Sequence, residues 1–135
     1  MKKTILLALL VIALSLVAQS YVKAQELYFC ESVTDNGQPN NAATTFTIPK
    51  GGGYFYFLVK LPYVVGCTNV DYAIYKADSY GNQKYNTTIS QVDMGTDWTW
   101  FWKKVTFYEP GYYRIDVIDC ASMNLVSSYV TIKMK

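Results

Sequence analysis

The chain has 135 residues, with 13 tyrosines, six phenylalanines, three tryptophans and no histidine. Because histidine is absent, Ser-His-Asp and Cys-His catalysis are excluded, together with most zinc and copper sites. The formal net charge is +2, but three basic residues lie near the N-terminus and no basic run follows them. We therefore expect no nucleic-acid partner.

The first 24 residues have the pattern of a secretory signal peptide. Lys2 and Lys3 precede a 13-residue apolar run, residues 5–17, and small residues follow it. This order predicts a signal-peptide helix over residues 1–24, cleaved after Ala24, although cleavage after Ser20 also fits. A membrane anchor is disfavoured because a spanning helix needs roughly 20 apolar residues. The M-K-K start resembles bacterial export signals, so we expect a secreted, periplasmic or cell-envelope protein without membrane insertion after cleavage.

Cleavage after Ala24 leaves 111 residues, which we expect to form one domain, residues 25–135. Removing Lys2, Lys3 and Lys23 reduces the 12 basic residues to nine, against ten acidic ones, so the mature net charge is −1. A chain of this length can bury a core of its own without metal or several disulfides.

Apolar residues in the mature chain alternate with a period of two, which predicts strands buried on one face and no helix. The three successive glycines at residues 51–53 predict a hairpin loop rather than a phosphate-binding loop, because no helix and no Lys-Ser/Thr pair follows. Asn36-Gly37 is the expected pivot of a polar turn over residues 34–41. The predicted strands cover residues 27–32, 44–48, 54–60, 70–76, 83–92, 98–107, 113–117 and 126–132.

A sharp corner links the strands over residues 98–107 and 113–117. Glu109, Pro110 and Gly111 are followed by Tyr113, and this motif resembles the tyrosine corner of immunoglobulin-like sandwiches. The resemblance extends over about the last 80 residues. It implies an all-β fold, a single antiparallel β-sandwich of the immunoglobulin-like or fibronectin-III-like kind. It says little about activity, because this architecture has many functions.

The resemblance also bears on the three cysteines. Cys67 starts the strand that would correspond to strand C, and Cys120 ends the one that would correspond to strand F. These strands are antiparallel neighbours in the family, so the resemblance implies a Cys67–Cys120 disulfide, worth roughly 4 kcal/mol in the chain-entropy model. The usual bridge between strands B and F is absent, because Ile115 occupies the position of the strand F cysteine, two residues after Tyr113. Cys30 is then expected to be a buried thiol rather than a redox or partner cysteine, with Cys30–Cys67 as the alternative pairing.

Three tryptophans alternate along the predicted strand 98–107 and therefore share one face of it. Counting the alternation back from the corner places Phe101 in the core and the indoles outside. The resemblance pairs this strand with residues 54–60, whose outer face would add two tyrosines and complete a flat aromatic platform. The candidate ligand-binding residues are Trp98, Trp100, Trp102, Tyr54 and Tyr56.

Two structural alternatives compete with a binding platform. A bulge at Lys103-Lys104 would reverse the register and turn the indoles into the core. Strict alternation would point Lys103 inward, which favours the bulge. Alternatively, the N-terminal strand would cover the tryptophans.

Exposed aromatic rings bind sugars through their C–H faces and serve as anchors in protein interfaces. We therefore expect a non-catalytic, exported binding module that recognises a glycan or an envelope protein. The alternative is a structural or accessory subunit of a cell-envelope complex with no small-molecule ligand. Asp93 and Asp97 lack the regular oxygen spacing of a calcium loop. No catalytic residue, metal ligand or cofactor is predicted.

Overall fold

A computed structural model describes residues 24–135, which form an all-β sandwich and contain no helix. The predicted signal peptide lies outside these residues, except for Ala24. The ten strands are β1 (Glu26–Cys30), β2 (Ser32–Val33), β3 (Pro39–Asn40), β4 (Thr45–Ile48), β5 (Gly53–Lys60), β6 (Val70–Ala77), β7 (Gln83–Gln91), β8 (Trp100–Phe107), β9 (Gly111–Ile118) and β10 (Asn124–Met134).

The strands form two main sheets and a small hairpin. One sheet has the order β1-β5-β8, the other has the order β4-β10-β9-β6-β7, and β2 pairs only with β3. Every neighbouring pair is antiparallel except β4 and β10, which run parallel. The expected antiparallel β-sandwich is therefore confirmed, with one parallel pair added at an edge, where β4 runs alongside the C-terminal strand in the same direction.

The core lies between the two main sheets, and a group of packed aromatic rings forms part of it. Phe55 in β5 stacks on Phe46 and on Phe107, with ring centroids 4.2 and 5.1 Å apart. Phe57 meets Tyr72 of the opposite sheet edge-on at 5.5 Å. Burying each such side chain stabilises the fold by roughly 1.5–3 kcal/mol. The apolar residues whose alternation predicted the strands are therefore the residues that fill this core.

The corner between β8 and β9 joins the two sheets. The Tyr113 hydroxyl donates a hydrogen bond to the Glu109 carbonyl at 2.9 Å, which is the contact that defines a tyrosine corner. The Lys76 ammonium also pairs with the Glu109 carboxylate at 2.9 Å. The corner predicted from the sequence is therefore confirmed, and it connects the three-stranded sheet to the five-stranded one.

A disulfide joins Cys67 to Cys120, whose Cα atoms are 5.8 Å apart. The predicted pairing is confirmed and the Cys30–Cys67 alternative is wrong, since Cys30 is a buried free thiol. Burial raises the pKa of Cys30. The disulfide indicates a non-reducing, extracytoplasmic environment. None of the elements found between residues 24 and 135 is a helix that could span a lipid bilayer.

Candidate functional site

The register of β8 determines which way the tryptophans point. β8 pairs with β5 along its whole length without a shift. Phe101 is 1% exposed and faces the core, so Trp100 and Trp102 lie on the opposite, outer face. The parity counted from the corner is correct, and the bulge at residues 103–104 does not occur. The register shifts of the sandwich fall in the five-stranded sheet instead.

Lys103 points toward the core side of β8, as strict alternation requires, and it is half-buried. β8 is an edge strand, and an inward-pointing charge on an edge strand discourages pairing with another chain. This role explains the residue without a bulge.

Three of the predicted site residues form a continuous cluster, which we call the aromatic ridge: Tyr54, Tyr56 and Trp102. Tyr56 meets Tyr54 at 6.4 Å and Trp102 at 5.4 Å between ring centroids, both edge-on. The Lys104 ammonium lies 3.9 Å from the centre of the Tyr54 ring. Tyr54 and Trp102 are 58% and 46% exposed. Because neighbouring rings stand nearly perpendicular, the surface is ridged rather than the flat platform expected.

Trp100 lies against the tip of the β2–β3 hairpin. Leu58 points to the same outer face, yet it is fully buried, because the hairpin lies over this part of the sheet. At the hairpin tip, a Cβ on Gly37 would lie 2.6 Å from Cδ2 of the Trp100 indole. Gly37 also has a φ of +81°, so it serves as the predicted pivot. The alternative in which the N-terminal strand covers the tryptophans is therefore wrong as stated: β1 pairs with β5, and it is the tip of the following hairpin that contacts Trp100.

Trp98 precedes β8 rather than lying within it, which corrects the predicted strand start. Its backbone N–H donates to the Gly95 carbonyl at 3.1 Å, so a tight turn leads into the strand. Its carbonyl accepts from the Val65 N–H at 2.7 Å. The indole packs against Gly95, where a Cβ would lie 2.7 Å from Cδ1 of Trp98. Trp98 is 41% exposed and is positioned by this turn, not by strand alternation.

A groove of about 600 Å³ follows the free edge of β8, lined by Gln91, Asp97 and residues 98–102. We call it the tryptophan groove. Its volume is within the range typical of small-ligand sites. It brings together all three predicted tryptophans but neither Tyr54 nor Tyr56, which lie on the ridge.

Gln91, the last residue of β7, is a groove residue that the sequence did not indicate. Its Nε2 donates to the Trp102 carbonyl at 3.0 Å, and its Oε1 accepts from the Tyr72 hydroxyl at 2.6 Å. It therefore bridges the two sheets at the groove wall. No local pattern marks such a residue, because its partners lie 11 and 19 positions away along the chain.

A second aromatic surface lies on the outer face of the five-stranded sheet. Register places Tyr129, Arg114, Tyr75 and Tyr85 side by side across four strands, and we call these four residues the tyrosine–arginine row. The Arg114 guanidinium lies 4.3 Å from the Tyr75 ring centre and donates to Asp116 at 3.2 and 3.3 Å. In the sequence, the period-two alternation of β6, β9 and β10 is the pattern that indicates this surface.

Residues 24–135 contain no group of three or more His, Cys, Asp or Glu side chains arranged to hold a metal ion. Asp93 and Asp97 accordingly do not form part of a metal-binding cluster there. No protein-family model matches the sequence, and no curated protein matches it significantly. The site therefore has to be interpreted from its own chemistry.

Proposed function

We propose that the protein is an exported, non-catalytic binding module of immunoglobulin-like architecture, which recognises a glycan or an envelope protein through the tryptophan groove and the adjoining aromatic ridge. The strand order supports the architecture. β1, β5 and β8 correspond to strands A, B and E, and β10, β9, β6 and β7 to strands G, F, C and C′.

Export is supported by two independent features. The N-terminal 24 residues have the charge and apolar pattern of a signal peptide, and the Cys67–Cys120 disulfide is typical of an oxidising compartment. The M-K-K start favours a bacterial envelope or an extracellular location.

One observation carries the binding function. Trp98 and Trp102, two large side chains that are 41% and 46% exposed, border the same concave, mostly apolar groove. Apolar surface exposed in a concave setting is typical of an interaction site. Sugar rings and protein side chains both bury such surfaces.

A glycan array followed by tryptophan fluorescence titration tests the proposal. We expect Trp102→Ala to weaken ligand binding by at least about tenfold with little change in thermal stability. Tyr80→Ala is the matched control, because Tyr80 is 88% exposed and lies in the turn between β6 and β7, outside the groove. A collapse in stability for Trp102→Ala would assign the indole to the fold instead.

The second candidate function is an accessory subunit without a ligand. The tyrosine–arginine row favours it, since tyrosine and arginine dominate the energetics of protein interfaces. This function predicts a stable hetero-complex that forms without sugar and is lost on Tyr129→Ala but not on Trp102→Ala. Affinity capture from an envelope fraction, with both variants as bait, separates the two functions.

A further inference from the structure

The tryptophan groove carries a single ionisable group. Among the residues that line it, only Asp97 has a charged side chain. Neither Lys103 nor Lys104 lines the groove, so no cation offsets this carboxylate inside it. An anionic ligand would therefore meet like charge as it loses its water, which is unfavourable.

Gln91 supplies the groove with a fixed hydrogen-bond donor. Tyr72 is fully buried, and burial raises the pKa of its hydroxyl far above the ordinary value, so the hydroxyl remains a donor to Gln91 Oε1. This bond fixes the orientation of the amide and directs Nε2 to the Trp102 carbonyl. An amide nitrogen has two N–H groups. The second has no partner among residues 24–135 and is held in place before any ligand arrives.

Asp97 supplies the groove with an acceptor. Its carboxylate and the Trp98 indole converge on Gly95, where a Cβ would lie 2.9 Å from Asp97 Oδ1. The glycine thus permits an acceptor and an aromatic surface to lie side by side. Hydroxyl groups donate to such a carboxylate, while the adjacent indole is suited to C–H contacts.

The shape of the groove favours an extended ligand over a compact one. Trp100 and Trp102 lie on the same face of β8, where alternate residues are spaced by about 6.8 Å, and Trp98 lines the same groove from the turn that precedes the strand. A quaternary ammonium group, in contrast, is bound by rings that surround one point.

We infer that the tryptophan groove binds a neutral glycan chain, with Gln91 donating to and Asp97 accepting from its hydroxyl groups. The inference rests on the proposed binding function and specifies its ligand. Tyr72 is a positioning residue, since it acts only through Gln91.

The test titrates the exported protein with neutral oligosaccharides of glucose, mannose, xylose and N-acetylglucosamine, with an oligogalacturonate, and with choline, using calorimetry and tryptophan fluorescence. We expect binding of a neutral chain, weakened about tenfold by Asp97→Ala because a hydrogen bond to a charged group is lost. Asp97→Asn keeps an acceptor and removes the charge. It should retain most of the neutral affinity and reduce discrimination against the oligogalacturonate.

Tyr72→Phe tests the positioning of Gln91. We expect affinity for the neutral chain to fall about threefold, the value of one neutral hydrogen bond, without a change in ligand preference. Tyr75→Phe is the matched control on the same strand, and it should leave affinity unchanged because Tyr75 points to the opposite face of the sheet.

Three results would overturn the inference: no neutral chain binds, the oligogalacturonate or choline binds more tightly, or Asp97→Ala and Tyr72→Phe leave affinity unchanged. If Trp102→Ala still abolishes binding of an acidic glycan or a protein partner, the binding function stands and only the neutral-glycan assignment fails. If nothing binds in a Trp102-dependent way, both fail.

Discussion

The two outer faces of the sandwich both expose aromatic rings, but they differ in how their polar groups are satisfied. In the tyrosine–arginine row, Arg114 donates to Asp116, and Asp116 also accepts from the Ser127 hydroxyl at 2.7 Å. On the other side, the amide of Gln91 and the carboxylate of Asp97 face a groove. The first surface is internally paired, whereas the second is a groove that offers hydrogen bonds.

This difference teaches that exposure alone does not locate a binding site. Tyr112 and Tyr129 are as exposed as Trp98 and Trp102, and they stack on each other at 5.3 Å. Exposed tyrosines that contact each other have already removed part of their surface from water. A groove with fixed but unsatisfied polar groups remains the stronger candidate for a small ligand.

Removing the disulfide should give the largest loss of unfolding free energy. It should disturb the tryptophan groove before it disturbs the tyrosine–arginine row. Cys67 ends the segment 61–67, whose backbone bonds to residues 96–99 and supports Trp98. We expect the double variant Cys67→Ala/Cys120→Ala to lose about 4 kcal/mol of unfolding free energy, measured by urea titration. Hydrogen exchange should rise first in residues 61–67 and 96–99. Faster exchange in β9 and β10 would instead contradict the expectation that the tryptophan groove is disturbed first.

Gly37→Ala tests the hairpin that covers Trp100. The new Cβ overlaps the indole, and the residue has a φ of +81°, so we expect a loss of about 3 kcal/mol from strain and overlap together. Gly81→Ala is a close control, because Gly81 has a φ of +84° and nothing within 4 Å. It should lose only about 1 kcal/mol. Equal losses of unfolding free energy in the two variants would mean that the hairpin does not pack closely against Trp100.

Asp116→Ala tests the internal pairing of the tyrosine–arginine row. Asp116 accepts hydrogen bonds from Arg114 and Ser127, so its removal should cost about 2 kcal/mol in thermal or urea unfolding. Asp71, on the same face, is half-buried and accepts a hydrogen bond from the exposed Ser90, and Asp71→Ala should stay within about 0.5 kcal/mol. If the Asp116 variant is equally mild, the row is not internally paired.

Tyr113→Phe tests the corner that belongs to both sheets. The variant loses the hydrogen bond to the Glu109 carbonyl and should lose about 1 kcal/mol. Its neighbour Tyr112 points to the outer face, and Tyr112→Phe should change stability by less than about 0.5 kcal/mol. Calorimetry on the two variants compares adjacent tyrosines on opposite sides of one strand.

The smallest effect concerns the exposed Lys76–Glu109 pair beside that corner. The hydrogen bond from Lys76 lowers the pKa of Glu109 below its ordinary value of 4.5, and the hydrogen bond to Glu109 raises the pKa of Lys76 above 10.5. The pair's stabilisation is therefore complete between pH 4.5 and 10.5. It is lost as the pH falls through the Glu109 pKa or rises through that of Lys76. Melting temperatures of the wild type and Glu109→Gln should converge at both extremes, and a constant difference would contradict this linkage.

Much of the architecture could be predicted because it depends on local patterns. The period of two in β5, β8 and β9 placed Phe57 inside, and the corner at Tyr113 fixed the parity from which the indoles were counted outward. The disulfide was expected from the resemblance, because the strands next to Cys67 and Cys120 are antiparallel neighbours in that family. The parallel pairing of β4 with β10 carried no local signal, because it depends on where the chain crosses between sheets.

The sequence by itself determined the all-β class, the corner and the outward direction of Trp100 and Trp102, since alternation and turn chemistry act over a few residues. Only the tertiary structure decided which indole is covered and what lines the groove. Gly37 contacts Trp100, and Gln91 contacts both Tyr72 and Trp102. These residues are too far apart along the chain for a local sequence pattern to predict the contacts. Contacts between distant segments arise from the packing of whole sheets, so the site's polar groups became visible only there.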